Sequence, residues 1–585
     1  MSQRSGLPTQ GYDPIRFEVI RNALQAVVEE SAVALARSAY STNIKTRLDF
    51  SVAIFDKKLR VVVQAFSQPS HLGSLVFSVP SAVNSYGVAE IGPGDGILVN
   101  DSHMNMSHLN DISLISPIYA GTELFGYSAN IAHHVDVGGR APGSIAVTTD
   151  IYQDGIIVPG VKLVKAGEID KDLFKIIAAN VRGKKEFGGD IRAQLAANKL
   201  AQRRFSEIVD RFRIGEVEAT IERLFEYTTR RTRSEVALWP EGDYFSETFL
   251  DDDGVSDRSI RIPVKVSIRN AHVTIDLTGA DRQRAAPMNS TYAQSYASVV
   301  YAVKALLPPD IPVNYGFYRV IDLIAPKGTV VNCSHPAAVV GGWEVGLKVT
   351  EGTFRALAKA MPLRVAGEGK KTLVHIAFGG LDPRSEHSYV YLETLAGGYG
   401  GRPTKDGEDA VQAHGQNTEN APIEELEIGY PVLIDRYQLV PDSEGPGKFR
   451  GGLGLLRLYR FRGHDATVTF LADTVKIPPH GLFGGQDAQG AEFSIYKDGI
   501  DHRVLPSKVV FTATPNDLVS MRTPGGGGYG DPLEREPDSV LRDVVQEKVS
   551  LERARDRYGV VIDPVLLRVD DKATSELRAE RLMKK

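Results

Sequence analysis

Residues 125–134 read Phe125-Gly126-Tyr127-Ser128-Ala129-Asn130-Ile131-Ala132-His133-His134. As a strand, with its two-residue period, this stretch puts Tyr127, Ala129, Ile131 and His133 on one face and points His134 the other way. If Ile131 faces the interior, so does His133. His133 is therefore the favoured ligand, and His134 is either a support behind it or a substrate contact. Just upstream, Ser107-His108-Leu109-Asn110-Asp111 runs into the strand-like Ile112-Ser113-Leu114-Ile115. That sets a His and an Asp, three apart, at a loop-to-strand junction, a common place for ligands.

The surrounding texture points to an α+β chain with several domains. Asp13 caps a first helix and Pro14 fits its first turn, with Phe17, Ile20, Leu24, Val27 and Leu35 recurring near a 3.6-residue period. Residues 50–54 and 61–63 read as strands around Asp56-Lys57-Lys58, and residues 96–99 as another. Residues 190–239 form the longest helical block, with Gly215 as its expected break. Beyond it, Ile262, Val264, Val266 and Ile268 alternate with polar positions or proline, as do Val273, Ile275 and Leu277. This is a half-buried hairpin turning at Asn270-Ala271. The main boundary falls near residue 240. It separates a mixed α/β metal-site half (1–239) from a β-rich region (240–535), which carries helices near 290–306 and 345–360. A charged helical tail (536–585) follows, its helix near 538–547.

Composition narrows the class. The 68 basic and 73 acidic side chains leave a net charge of −5, without the basic excess of a nucleic-acid binder. No apolar run approaches the ~18 residues of a membrane span, and residues 1–12 lack the apolar core of a signal peptide. The single cysteine, Cys333, rules out an internal disulfide or a thiolate cluster and reads as a structural thiol. The expectation is a soluble, cytoplasmic protein.

Five of the thirteen histidines (His71, His103, His108, His133 and His134) fall within residues 71–134, in the company of Asp49, Asp101, Asp111 and Asp136. Mixed imidazole and carboxylate donors suit a divalent transition metal such as Zn or Mn, with Fe also possible. Gly525 to Gly530 matches G-x-G-x-x-G, but Asp531-Pro532 follows directly and leaves no helix N-terminus to hold a pyrophosphate. It reads as a surface turn. No phosphate loop is present, so any ATP in the reaction binds elsewhere or on another chain. Glu344, after Gly341-Gly342-Trp343, is a candidate acid–base carboxyl if burial raises its pKa. The polar run His414-Gly415-Gln416-Asn417-Thr418-Glu419-Asn420 reads at least as well as a solvated connection.

Several strings together resemble the hydantoinase B/oxoprolinase family, the second subunit of ATP-dependent hydantoin and lactam hydrolases, related to subunits of acetone and acetophenone carboxylases. They are Phe17 through Leu24, Asn43-Ile44-Lys45 with Arg47 through Ser51, His71-Leu72-Gly73-Ser74, His108 to Asp111, Ala132 through Gly139 and Ala141-Pro142-Gly143-Ser144. Arg450 through Gly454 and Thr523 through Pro532 complete the set. The resemblance implies metal ligands at His108, Asp111 and His133, joined by Asp49, and leaves His134, Asp136 and Glu344 as candidate catalytic groups. It also implies a hetero-oligomer with a larger, hydantoinase A-like subunit that holds ATP and Mg, and a small cyclic amide as substrate, with no nucleic acid or membrane involved. Two departures stand out. The family's Gly-Gly-Thr-His-Leu-Pro-Asp becomes Asn105-Met106-Ser107-His108-Leu109-Asn110-Asp111, and Gly-Gly-Asn-Val-Glu-Thr becomes Gly341-Gly342-Trp343-Glu344-Val345-Gly346. Both bear on the substrate pocket. A carboxylase-type reaction, or a non-catalytic scaffold for the ATP-binding subunit, stands as the alternative to cyclic-amide hydrolysis.

Overall fold

The computed structural model of the chain describes residues 13–65 and 67–584. The signal-peptide reading of residues 1–12 lies outside them. Asp13 Oδ1 accepts the backbone N–H groups of Ile15 and Arg16 and opens helix α1 (Pro14–Ser38), whose Phe17, Ile20, Leu24, Val27 and Leu35 are buried. The short helix α2 (Thr42–Lys45) leads into β1 (Phe50–Asp56) and β2 (Val61–Gln64). After α3 (Pro69–Tyr86) come β3 (Gly96–Val99), β4 (Asp111–Ala120), β5 (Glu123–His133), β6 (Val161–Lys165) and β7 (Glu168–Ile169). Together they form a sheet of order β2-β1-β5-β4-β3-β6-β7, antiparallel throughout.

The histidine-bearing strand is β5, and its two faces are covered differently, as alternation requires. Tyr127, Ala129 and Ile131 enter a large apolar core. Ser128, Asn130 and His134 face a helix from the other side. That helix is α5 (Lys184–Phe212), which follows α4 (Lys171–Ala179) and precedes α6 (Ile214–Val236). Gln194, Asn198 and Gln202 recur every four residues along one side of α5. Their side-chain amides donate to the carbonyl oxygens of Ile112 (2.9 Å), Leu114 (3.0 Å) and Pro117 (2.7 Å) of β4. A polar helix face is thus seated on the sheet with its hydrogen bonds satisfied. The break in the helical block falls at Arg213, at φ +63°, while Gly215 lies inside α6. Glycine tolerates a reversal but does not impose one.

Beyond residue 240, β8 (Gly242–Leu250), β9 (Ile260–Arg269), β10 (His272–Asp276) and β11 (Ile321–Ile324) form a sheet of order β11-β10-β9-β8. The β9–β10 turn is Asn270-Ala271, both at positive φ, the primed geometry that matches strand twist. Helices α7 (Tyr292–Ala305) and α8 (Tyr315–Tyr318) lie between β10 and β11, and α9 (Gly342–Ala358) follows β11. One core joins α3, α7 and α9 to β5 and to the β8–β11 sheet. The next strands are β12 (His375–Leu381), β13 (Ser388–Thr394), β14 (Val432–Leu439), β15 (Leu455–Phe461), β16 (Ala466–Leu471), β17 (Glu492–Lys497), β18 (Asp501–Val504), β19 (Lys508–Ala513) and β20 (Leu518–Arg522). They build two sheets, β13-β12-β16-β19 and β14-β15-β20-β17-β18, sharing an aromatic core that includes Phe378, Tyr391, Tyr459 and Phe470. A helix at Pro537–Val545 opens the tail.

The glycine run after β20 is not a surface turn. Gly525 to Gly528 are buried. A Cβ on each would stand about 2 Å from a carbonyl oxygen of another segment: Ser443, Tyr399, His480 and Pro446 in turn. Their N–H groups donate in succession to Gln489, Gly452, Glu368 and Gln486. Three separate stretches of backbone, at Tyr399, Ser443 to Pro446 and His480, therefore pack against this one, closer than any side chain permits. Among the described residues, no helix is long and apolar enough to cross a membrane.

Candidate metal centre

Three adjacent strands end at the same level of the first sheet. In the β4–β5 register Asp111 pairs with His133. The N–H of His133 donates to the carbonyl of Asp49, the residue before β1, at 3.0 Å. His108 is folded back onto Asp111 by a tight turn in which Asp111 N–H donates to His108 O. Register and turn thus bring the donor atoms of His108, Asp111 and His133 within 4.8 Å of one another, all three buried. They line a cavity of about 60 Å³, shared with Asp49, His71 from the first turn of α3, Trp343 from α9 and His375 from β12.

The charges are arranged around Asp111. His71 Nε2 lies 3.1 Å from Asp111 Oδ1, His108 Nε2 lies 3.4 Å from Oδ2, and Ser107 Oγ donates to Oδ2. Burial alone raises the Asp111 carboxyl, but His108 and His71 outweigh it and hold it well below the usual carboxylate range. For His71 burial is likewise outweighed, by Asp111, and its pKa is raised. Burial lowers His108, and pushes His133 and His375 well below the ordinary imidazole range. The site therefore offers one firm carboxylate and, at His108, His133 and His375, neutral imidazoles, the forms that bind metal.

This donor set fits a divalent transition metal. His108 Nδ1 and both ring nitrogens of His375 are buried without a hydrogen-bond partner among the described residues. Nitrogen and oxygen donors without sulfur suit Zn, Mn or Fe(II). The one thiol, Cys333, is buried, with its pKa pushed up to about 12. Asp49 lines the cavity with its carboxylate 3.8 Å from His71 Nε2, beside the three-residue cluster. Burial raises its pKa, with His71 and Arg47 opposing.

His134, Asp136 and Glu344 are not in the cavity wall. Both amide hydrogens of Gln194 are used, on Ile112 O and Asn130 Oδ1, so its Oε1 accepts from His134 Nε2–H at 3.0 Å. His134 braces the sheet against α5. Asp136 accepts the N–H groups of Gly138, Gly143 and Arg182 and pairs with the Arg182 guanidinium at 3.0 Å, which saturates it in a loop-holding role. Glu344 Oε1 accepts from Thr372 Oγ1 and Leu373 N–H, behind Trp343. Burial pushes its pKa up to about 7, with Lys348 opposing. His134 Nε2 and both Asp136 oxygens are thus engaged by groups outside the cavity wall, whereas Glu344 Oε2 is buried without a hydrogen-bond partner among the described residues.

The strand and turn logic reaches His108, Asp111 and His133. It gave no role to His71, and it misses His375, Trp343 as a cavity wall, and Asn43, whose Nδ2 holds the His133 ring through Nδ1 at 3.1 Å. His375 sits more than 200 residues away in an unremarkable strand.

The profile of the hydantoinase B/oxoprolinase family matches residues 13–532. The chain belongs to this family. It is 33% identical to the B-type subunit of a putative D-/L-hydantoinase from a Pseudomonas species, over 97% of this chain and 98% of that one. The ATP-dependent caprolactamase structure of Pseudomonas jessenii superposes with a TM-score of 0.91 at 29% identity, covering 97% of this chain and all of that one. The nucleotide-free acetone carboxylase structure gives a TM-score of 0.92 over 99% of this chain and 85% of that one. At 21% identity this is a likeness of fold. As a member of the hydantoinase B/oxoprolinase family, the chain shares its overall architecture with both hydrolase and carboxylase relatives.

Proposed function

We propose that this chain is the metal-bearing subunit of an ATP-dependent cyclic-amide hydrolase. Its partner would be a hydantoinase A-like subunit carrying ATP and Mg, and the pair would work in the cytoplasm. The observation that carries the proposal is the buried His108–Asp111–His133 cluster at the wall of a small cavity, in a chain whose relatives include a hydantoinase subunit and an ATP-dependent caprolactamase.

The chemistry is consistent with this division of labour. An unstrained ring amide is a poor electrophile. Transfer of the γ-phosphoryl group to its oxygen on the partner makes that oxygen a leaving group. A divalent metal held by His108, Asp111 and His133 would supply charge stabilisation and lower the pKa of water. The chain's own residues do the rest. His71 and Ser107 fix the Asp111 carboxylate, Asn43 orients His133, and Trp343 and His375 wall the cavity and restrict water.

The test is co-purification with the partner, followed by a panel of hydantoin, 5-oxoproline and lactams, with ATP consumption as readout. Turnover independent of bicarbonate supports the proposal. Strict bicarbonate dependence overturns it in favour of a carboxylase. The isolated chain is expected to bind no ATP, and micromolar affinity would overturn the assignment of the nucleotide to the partner.

A further inference from the structure

The polar loop after Ala413 is anchored on both sides of Gln416. Upstream, His414 Nδ1 lies 3.2 Å from Tyr301 Oη and 3.4 Å from Tyr399 Oη, and its ring packs on Phe354. Downstream, Thr418 Oγ1 meets Thr394 Oγ1 at 3.2 Å. Glu419 N–H donates to Arg47 O, and Asn420 Nδ2 donates to Glu393 Oε2 and Thr394 O. Gly415, at φ +75°, turns the chain between the two anchors. Gln416 itself lines the cavity with His108, His133, Trp343 and His375. Its Oε1 and Nε2 are both buried and neither has a hydrogen-bond partner among the described residues. Trp343 Nε1 is a third buried, unpaired group of the same wall.

A buried carboxamide left unpaired is unfavourable at both ends, and the anchored loop restrains it from swinging to another partner. Its complement is therefore whatever enters the cavity. A carboxamide shows one acceptor and one donor side by side on a single edge. The matching edge is an N–H beside a C=O. An open-chain secondary amide is trans and splits these groups to opposite edges, whereas a small ring holds its amide cis and presents both together. A ketone, an ester or an N-methylated ring lacks the N–H. We propose that Gln416 is a specificity-determining residue that pairs edge to edge with the cis N–H and C=O of a cyclic secondary amide. This rests on the cyclic-amide reading above. Phosphorylation of the amide oxygen with the proton retained on nitrogen keeps the N–H facing Oε1.

The test uses 2-pyrrolidinone, hydantoin and ε-caprolactam, with the N-methyl derivatives of the two lactams. Each lactam and its methylated form is titrated against the isolated chain by ligand-observed NMR, and KM and kcat for ATP consumption are measured in the two-chain enzyme. The wild-type chain is expected to favour the N–H form. Gln416→Met is expected to remove that preference and raise KM about tenfold to a hundredfold, with a smaller effect on kcat and unchanged metal content. Gln416→Glu is expected to lose the donor and weaken binding as well. Equal binding of N–H and N-methyl rings by the wild type overturns the inference, as does a Gln416→Met variant that keeps the preference. Either result leaves the hydrolase reading standing as long as ring-amide turnover persists. If no member of the panel drives ATP consumption, the hydrolase reading falls and takes this inference with it.

Discussion

Adding one methyl group at two glycines should have opposite effects. At Gly526 a Cβ would lie 2.1 Å from the carbonyl oxygen and 2.3 Å from the carbonyl carbon of Tyr399. Ordinary contact requires at least about 3 Å, so two backbones must separate by roughly 1 Å, with no flexible side chain to absorb the shift. Gly526 N–H also donates to Gly452 O at 2.9 Å, and its carbonyl accepts from Gly445 N–H at 2.8 Å. Overpacking costs about 1–3 kcal/mol and weakening two buried backbone hydrogen bonds about 1 kcal/mol each, so Gly526→Ala should destabilise by ~3–5 kcal/mol. Gly215 lies in α6, and a Cβ there would meet open space, with nothing within 4 Å beyond the adjoining turns of its own helix backbone. There Ala should gain about 0.5–1 kcal/mol by reducing the freedom of the unfolded chain. Guanidinium unfolding followed by tryptophan fluorescence and by far-UV circular dichroism compares the midpoints. A Gly526→Ala midpoint equal to wild type, or both variants shifting the same way, would refute the close-packed reading of the glycine run.

Other outcomes follow from the site. His108→Ala should drop bound transition metal below about a tenth of an equivalent by elemental analysis while the fold is retained; full occupancy would remove His108 from the ligand set. His134→Ala should keep the metal but lose about 1–3 kcal/mol, because Gln194 Oε1 is left unpaired under the sheet; loss of metal with unchanged stability would reverse the roles of the two histidines. Glu344 has a folded pKa raised to about 7 from an ordinary 4.5. Its contribution is therefore unchanged below the unfolded value and becomes destabilising as pH rises from about 4.5 to 7, by up to ~3 kcal/mol. Glu344→Gln should remove that slope, seen as the wild-type-minus-variant difference in stability across the window; a difference independent of pH would contradict it.

Local pattern was a good guide where the determinant is local. The alternation in residues 125–134 separated the faces of His133 and His134, and the Asn270-Ala271 turn and the cap at Asp13 follow from their own neighbours. Function-bearing contacts between distant segments were not legible. Nothing around His375 announces that it faces a cavity built by β4 and β5, and the partners of Asp136 and Glu344 lie on Arg182 and Thr372, which sequence spacing does not bring near. Gly525 to Gly528 carry the composition of a turn, yet they are buried because three remote backbone stretches converge on them. The break at Arg213 rather than Gly215 shows the same limit on a small scale, since permissiveness marks where a bend is cheap and packing decides where it occurs.

The pairing of Asp111 with His133 across the β4–β5 hairpin makes the tip of that hairpin, at Gly121, a remote control on which imidazole reaches the cavity. An odd-numbered insertion or deletion between residues 111 and 133 that shifted the frame of β5 by one would turn Ala132 and His134 inward and His133 outward. An insertion would seat Ala132 opposite Asp111, whereas a deletion would seat His134 there and still present a ring nitrogen to the cavity. Either slip would, however, detach His134 from Gln194 and carry His133 away from Asn43, trading two oriented rings for two loose ones. Even-numbered changes at the tip preserve phase, so length variation in this hairpin should be tolerated in steps of two.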